Sequence, residues 1–498
     1  MTTDHDTTGA TPPTGPDGAG AAAEILVEGV PAAVSLAPSA PGLALGGEMV
    51  LGGHGEPGVE SMRAGLLQAG PLAAAGVLAN GANVIVTVVL ARLLNPHGYG
   101  VLNQLTGLFL ILSMPGSAVV VAVVRRVTLW HEDGSGHLVR RWAGWIHRRG
   151  SLIVLAWGVV VFGTRHWIAV LLGQRSGIGI AAILTAAAFF VLFSLDRGLL
   201  QARRAYRPLA VNLLVEGGVR TVAVLALVAA GTGSSGAAVG ILVAEVITAA
   251  HARYAAVRVW SGATSSGRSW TTGWVSALRP DPVLAGTVAP RHRVAVDLFV
   301  ASVSLSMVAL LQNVDVLVVG RDNPTHSGAY AAVSVTSKAI VFGAVVLGGY
   351  LLPEAAIRWR QGGHALRQLS VVLLLLAIPA GILLAVAFGA PHLLLKVVFH
   401  RHYLAATSAL APLVIAMILL SISVILTMYL LAVGRRWVAG VLVAGAVALT
   451  VVVAQAHGAP RATAVADLEV QAIVLAVILV GFTVIHRVRL RRHPAGLS

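Results

Sequence analysis

From residue 65 onward the chain alternates between apolar runs of about 20 residues and short polar breaks. As a helix rising about 1.5 Å per residue, such a run spans about 30 Å of hydrocarbon. Twelve runs recur, at 66–93, 101–124, 151–172, 178–196, 208–230, 236–257, 294–319, 328–352, 367–388, 406–431, 437–456 and 468–486. The third is interrupted by Arg165 and His166, and prolines fall inside three of the runs, at Pro115, Pro379 and Pro412. The pattern predicts an all-α integral membrane protein of about twelve transmembrane helices.

The polar breaks carry a sign. The first 60 residues hold eight acidic groups, no basic one, and many Gly, Ala and Pro. They read as a disordered acidic cytoplasmic tail, and lack the positive n-region of a secretory signal. With twelve spans both termini share one side. The tail, the even-numbered loops and the C-terminus then hold 26 Lys and Arg, and the odd-numbered loops and their flanks hold seven. This bias predicts a multi-pass protein of the inner (cytoplasmic) membrane with both termini cytoplasmic. Arg220 and Lys338 fall inside spans.

Composition narrows the class. The chain is 57% hydrophobic and 11% charged, with mean hydropathy +0.83 and formal net charge +15. Ordinary soluble domains have about 25% charged residues, so the basic excess points to oriented membrane loops and anionic lipid headgroups, not to nucleic acid. The absence of cysteine removes disulfides and thiol chemistry. No Gly-Lys-Ser/Thr phosphate loop and no HExxH pair occur, and His131, Glu132 and His137 lack a metal-ligand spacing. No metal, cofactor or enzymatic activity is expected, and the short odd-numbered loops leave no room for the outer catalytic loop of a multi-span glycosyltransferase.

An internal repeat is visible. LARLLNPHGYG (90–100) and VVGRDNPTHSGAY (318–330) both run from a span end through Arg, Asn-Pro, His and Gly to Tyr, with Asn95 and Asn323 228 residues apart. LLQARRAY (199–206) and LLAVGRRW (430–437) repeat at nearly the same offset. Two agreeing offsets imply duplicated six-span halves related by an axis along the membrane normal, as in alternating-access transporters.

The first hairpin, the segment 194–220 and the segment 313–338 (NVDVLVVGRDNPTHSGAYAAVSVTSK) resemble those of bacterial polysaccharide (O-antigen type) flippases. These belong to the multidrug/oligosaccharidyl-lipid/polysaccharide exporter superfamily, with the lipid II flippase and the multidrug-and-toxin extrusion antiporters. The resemblance covers about residues 65–430. It implies two six-helix lobes forming a V-shaped central cavity lined by helices 1, 2, 7 and 8. The expected division is a tail (1–62), an N-lobe (63–260), a cytoplasmic linker (261–293), a C-lobe (294–487) and a basic cytoplasmic tail (488–498). The acidic tail and the Arg-rich, Lys-poor loops depart from the family pattern.

Charges within spans need partners or water, because an ionisable group at mid-bilayer costs at least about 2.5–3.5 kcal/mol. Lys338, near mid-depth, either contacts the pyrophosphate of a lipid-linked sugar or pairs with Asp315. Asp315 is either an ion-coupling site or that counter-ion. Arg92 either snorkels or meets substrate. Asn83, Gln104 and Asn313, with Asn80, Asn103 and Gln312, either wet a sugar-binding cavity or bond helices together. Glu216 and Arg220 lie one helical turn apart and read as a structural ion pair, with Glu245 as a further partner. Asp297 reads as interfacial.

The expected function is flipping of a lipid-linked (polyprenyl-pyrophosphate) oligosaccharide or polysaccharide precursor for cell-envelope or exopolysaccharide biosynthesis. Partners would be that lipid-linked oligosaccharide, anionic membrane lipids, and envelope glycosyltransferases or a polymerase. The alternatives are a cation-coupled multidrug antiporter of the same superfamily and a transport-dead membrane scaffold for envelope-synthesis enzymes.

Overall fold

The computed structural model describes residues 85–132, 137–174, 176–261, 292–360 and 366–492, with Ala75, Leu78, Ala79, Ala82 and Asn83 before them. The expected tail (1–62), most of the linker (261–293) and the end of the basic tail lie outside the described residues. So do Asn80, residues 133–136 and the Asp297 side chain. Among the described residues every regular element is helical. That is the outcome lipid imposes, since a helix satisfies its own backbone where water is absent.

The helices follow the apolar runs. Helix α1 is described up to residue 93. After it come α2 (Pro96–Glu132), α3 (His137–Leu171), α4 (Gly177–Ala202), α5 (Tyr206–Leu227) and α6 (Gly233–Ser261). The second half has α7 (His292–Asp322), α8 (Ser327–Arg360), α9 (Leu366–Gly389) and a short α10 (Pro391–Phe399). A 3-10 segment, Arg401–Ala409, leads into α11 (Leu410–Ala432), α12 (Trp437–Gln455) and α13 (Pro460–Arg492). Among the described residues ten stretches are long and apolar enough to cross a membrane. One of them, Tyr206–Trp260, is the fifth and sixth runs joined end to end. The chain reverses there through a π-turn, Val228–Thr232, where Gly231 (φ 82°) and Gly233 (φ 63°) take backbone angles that side chains oppose. With α1 these account for all twelve runs in a multi-pass membrane protein.

Packing repeats between the halves. Helix α4 is the hub of the first, against α2, α3 and α6, with α5 on α6. Helix α11 is the hub of the second, against α8, α9 and α13, with α12 on α13. Both hubs are apolar around most of their circumference and largely buried.

The first half is locked by a buried charge network. Arg197 on α4 donates to Asn212 Oδ1 (2.7 Å) and Glu216 Oε2 (2.5 Å) on α5. Arg220 donates to Glu216 Oε1 (2.7 Å) and to Glu245 on α6. Two guanidiniums and two carboxylates therefore neutralise one another with side chains at most 8% exposed. One residue earlier on α4, Asp196 is held by Arg253 Nη1 (3.1 Å) and lies 3.1 Å from His147 Nδ1. The run ending at 196 had left Arg197 among the loop charges. Helix α4 continues to Ala202, and Arg197 is a buried structural cation, as Arg220 is.

The halves meet where the repeated hairpins face each other. Asn95 Oδ1 accepts the Gly98 N–H (2.7 Å), capping α2 ahead of Pro96, and Asn323 Oδ1 accepts the His326 N–H (3.3 Å). His97 Nδ1 lies 3.4 Å from the Pro324 carbonyl oxygen. A Cβ on Gly328 would collide with the Pro96 carbonyl, and one on Gly100 with Ser327. Contact between the halves runs through α2 against α7 and α8. Further along, α2 packs on its own half, with Gly116 against Phe190 and Ser194.

Two outcomes follow. Replacing Arg220 with Ala leaves Glu216 and Glu245 buried without their shared cation, and should destabilise the protein by about 3–5 kcal/mol, seen as a lower Tm in detergent, whereas Val222→Ala on the exposed face should be nearly neutral. Gly328→Val should part the hairpins. Electron–electron resonance between spin labels at His97→Cys and Asn323→Cys should then report a longer, broader distance distribution.

Candidate functional site

Past the hairpins, α2, α7 and α8 enclose a column of polar groups. Nearest the hairpins is Gln104, whose Nε2 donates to the Leu317 carbonyl (2.9 Å) on α7 and whose Oε1 accepts from Gln174. A Cβ on Gly320 would strike this amide, so α7 must present a glycine for the halves to close. On the hairpin side a cavity of about 200 Å³ is lined by His97, Gln174, Ser176, Ser234 and Ser235, all uncharged donors or acceptors when His97 is neutral.

On the other side of Gln104 lies a cavity of about 30 Å³. It holds about two waters by that measure of volume. Its lining includes Asn103 and Thr106 from α2, Asn313 from α7, and Ser334 and Lys338 from α8. Gly107 makes room for it, because a Cβ there would already touch Asn313 (3.4 Å).

Lys338 is the cation of this seam. Its Nζ donates to Asp315 Oδ1 (3.2 Å) and, at 3.5 Å, to Asn313 Oδ1. Asp315, fully buried, also accepts from the Tyr330 hydroxyl (2.9 Å) and Ser334 (3.3 Å) at Oδ2. Asn313 is oriented by its own donation to the Ala309 carbonyl (2.8 Å). Lys338 thus meets Asp315 and a cavity between the halves at once.

Asp315 is not a lone acid. Asp467 on α13 is fully buried and within electrostatic reach of Asp315, Lys338 and Tyr330. One of its oxygens accepts from Gln471 Nε2 (3.1 Å), which also donates to the Leu311 carbonyl (3.3 Å). The other, with Gln471 Oε1 and Thr463 Oγ1, is buried with no hydrogen-bond partner among the described residues. This cluster carries one cation for two acids. Among the described residues no three His, Asp or Glu gather as metal ligands.

The remaining expected residues are not gathered here. Arg92 is exposed at the end of α1, three residues before the Asn95 turn, whereas Lys338 lies three turns into α8. Asn83 is buried in α1, its carbonyl accepting from Thr87 (2.9 Å). Glu216 and Arg220 belong to the network inside the first half.

No family model matches the chain, and no curated protein sequence matches it. Solved structures do. The lipid II flippase MurJ in an inward closed conformation aligns with TM-score 0.61 over 83% of this chain and 87% of that one, at 11% identity. An inward-facing multidrug resistance MATE family transporter of the MOP superfamily aligns with TM-score 0.59 over 82% and 95%, at 11% identity. A MOP superfamily transporter from Pyrococcus furiosus, described as having a binding pocket of reverse polarity, aligns with TM-score 0.50 over 83% and 92%, at 12% identity. At these identities the likeness is one of architecture: the chain has the two-lobed, all-helical fold of the MOP superfamily transporters.

Proposed function

We propose that the chain is an alternating-access transporter that flips a polyprenyl-pyrophosphate-linked oligosaccharide across the cytoplasmic membrane. The observation that carries this reading is Lys338: a buried ammonium paired with Asp315 at a cavity between the two halves whose other polar lining is neutral. A pyrophosphate needs a cation where water is scarce, and hydroxyl-rich sugars need amides and hydroxyls. The asymmetry of basic loops favours cytoplasmic termini. The hairpin end is then the outer mouth, closed in this conformer, and substrate enters from the cytoplasmic side.

In this conformer Asp315 occupies Lys338. An anionic headgroup must compete for that ammonium, so binding is linked to the state of Asp315. A proton or small cation taken up by the Asp315–Asp467 pair weakens its hold on Lys338 and frees it for phosphate. The same exchange in reverse releases the headgroup. Asp315 is the ion-coupling residue in this scheme and Asp467 its second site. Gln104 and Asn313 contribute polar groups along the path, and Arg92 stands at its outer rim, where a departing phosphate would pass.

A second reading has its own support. Acids outnumber cations in the Lys338 cluster, as a cation-coupled antiporter for cationic drugs would require.

Reconstituted protein should bind undecaprenyl pyrophosphate. Lys338→Met should weaken binding about tenfold or more, the scale of one charge-assisted contact, with partial rescue by Lys338→Arg. Asp315→Asn should tighten binding, because Lys338 loses its competitor, and should abolish dependence on a proton or sodium gradient in vesicles. Binding indifferent to Lys338, together with gradient-driven efflux of cationic dyes, would establish the antiporter instead.

A further inference from the structure

We propose that the segment Pro391–Ala409 is a strap that crosses from the second half to the first and latches the hairpin end shut. The inference needs only the two-half fold and is independent of what is carried.

The segment breaks the internal repeat. In the first half the corresponding helices follow closely, α3 ending at Leu171 and α4 starting at Gly177. In the second, α9 ends at Gly389 and α11 starts at Leu410, with α10 and the 3-10 segment between. An addition to one half alone is not demanded by the packing that both halves share.

Its root is in the second half. Leu395 and Phe399, one turn apart on α10, are buried while Leu393 and Val397 face outward. The 3-10 segment packs on α8 and α13. Its reach is into the first. The Tyr403 hydroxyl donates to the carbonyl of Ala91 on α1 (2.6 Å). The Tyr403 ring stands edge-on to Tyr99 of α2 (5.5 Å between centroids), and Phe399 completes the trio at 6.1 Å from each. All three rings are buried.

The acceptor suits a reversible latch. Ala91 is in the last turn of α1, where carbonyls lack helical partners. With the strap in place Tyr403 fills that need, and with the mouth open water can. Between α10 and the 3-10 segment His400 has φ 86° and ψ 160°, a region that residues other than glycine occupy only when their surroundings hold them there. The strap is therefore held bent between two anchorages, the core of its own half and the Tyr403–Ala91 contact, and loss of the second favours its withdrawal.

The native chain has no cysteine, so Ser327→Cys places the only thiol at the buried seam beside Gly100. In detergent or nanodiscs, this thiol should react slowly with a water-soluble maleimide. Tyr403→Phe, which removes only the hydroxyl, should raise the rate about fivefold, the worth of one hydrogen bond. Tyr403→Ala, which also empties the aromatic trio, should raise it further at an unchanged gel-filtration profile. If Tyr403→Ala does not fold, Tyr403→Phe decides alone. A rate unaltered by Tyr403→Phe, or a thiol already fast in the parent, would overturn the strap.

Discussion

Hydrocarbon cannot solvate a charge, and that constraint organises this molecule more than any single contact. Each ionic group within the bilayer must bring its partner from the same chain. In the first half the charges balance: Arg197, Arg220, Glu216 and Glu245 sum to zero and tie α4, α5 and α6 together. Such a closed set has no ion to offer and little freedom to move, which suits a lobe that travels as a rigid body. In the second half they do not. Lys338 serves Asp315, while Asp467 has no cation within ion-pair distance among the described residues. An unbalanced set in a dry place is one that a proton, cation or anion can change, which is why the proposed coupling is placed in this half.

Duplication explains the shape and its breakage explains the specialisation. The two Asn-Pro hairpins meet because each stands at the same place in its half, close to the axis relating them. The tyrosines Tyr99 and Tyr330 follow them 231 residues apart, and the same offset carries Gly107 onto Lys338. One half therefore supplies an ammonium where the other supplies empty space, and that space is part of the cavity Lys338 reaches. The α10 insertion is a second departure. Neither follows from symmetric packing.

Much of this was legible in hydropathy. Twelve apolar runs became twelve helices because a lipid-facing helix must be apolar over its whole length, a signal that survives without relatives. The hairpin repeat was legible because Asn and Pro at a helix start have few substitutes. Legibility failed where a run met a charge. The last run, taken from 468, stopped one residue short of Asp467, although α13 begins at Pro460. Arg461, Asp467 and Glu469 depress the local hydropathy, and only the fold shows that Asp467 faces inward. Arg197 was lost among the loop charges for the same reason. The 3-10 segment, with Arg401, His400 and His402, reads as an outer loop, and a contact between Tyr403 and Ala91, 312 residues apart, leaves no trace in local pattern.

The small size of the cavity at Lys338 bears on how a large headgroup could pass. Room for about two waters admits no sugar, so the seam in this conformer is a closed contact with a buried ionic pair inside it. That pair costs little while the halves are together, because Asp315 and Lys338 satisfy one another. Separating the halves exposes it to water, which weakens the attraction roughly in proportion to the rise in dielectric constant. On the proposed function, opening thus adds to ion uptake by the Asp315–Asp467 pair in freeing the ammonium for a phosphate, at the point where the cavity is wide enough to admit one. In the proposed mechanism opening and binding are linked through the same two side chains, and a half whose charges were all neutralised away from the seam could not provide that link.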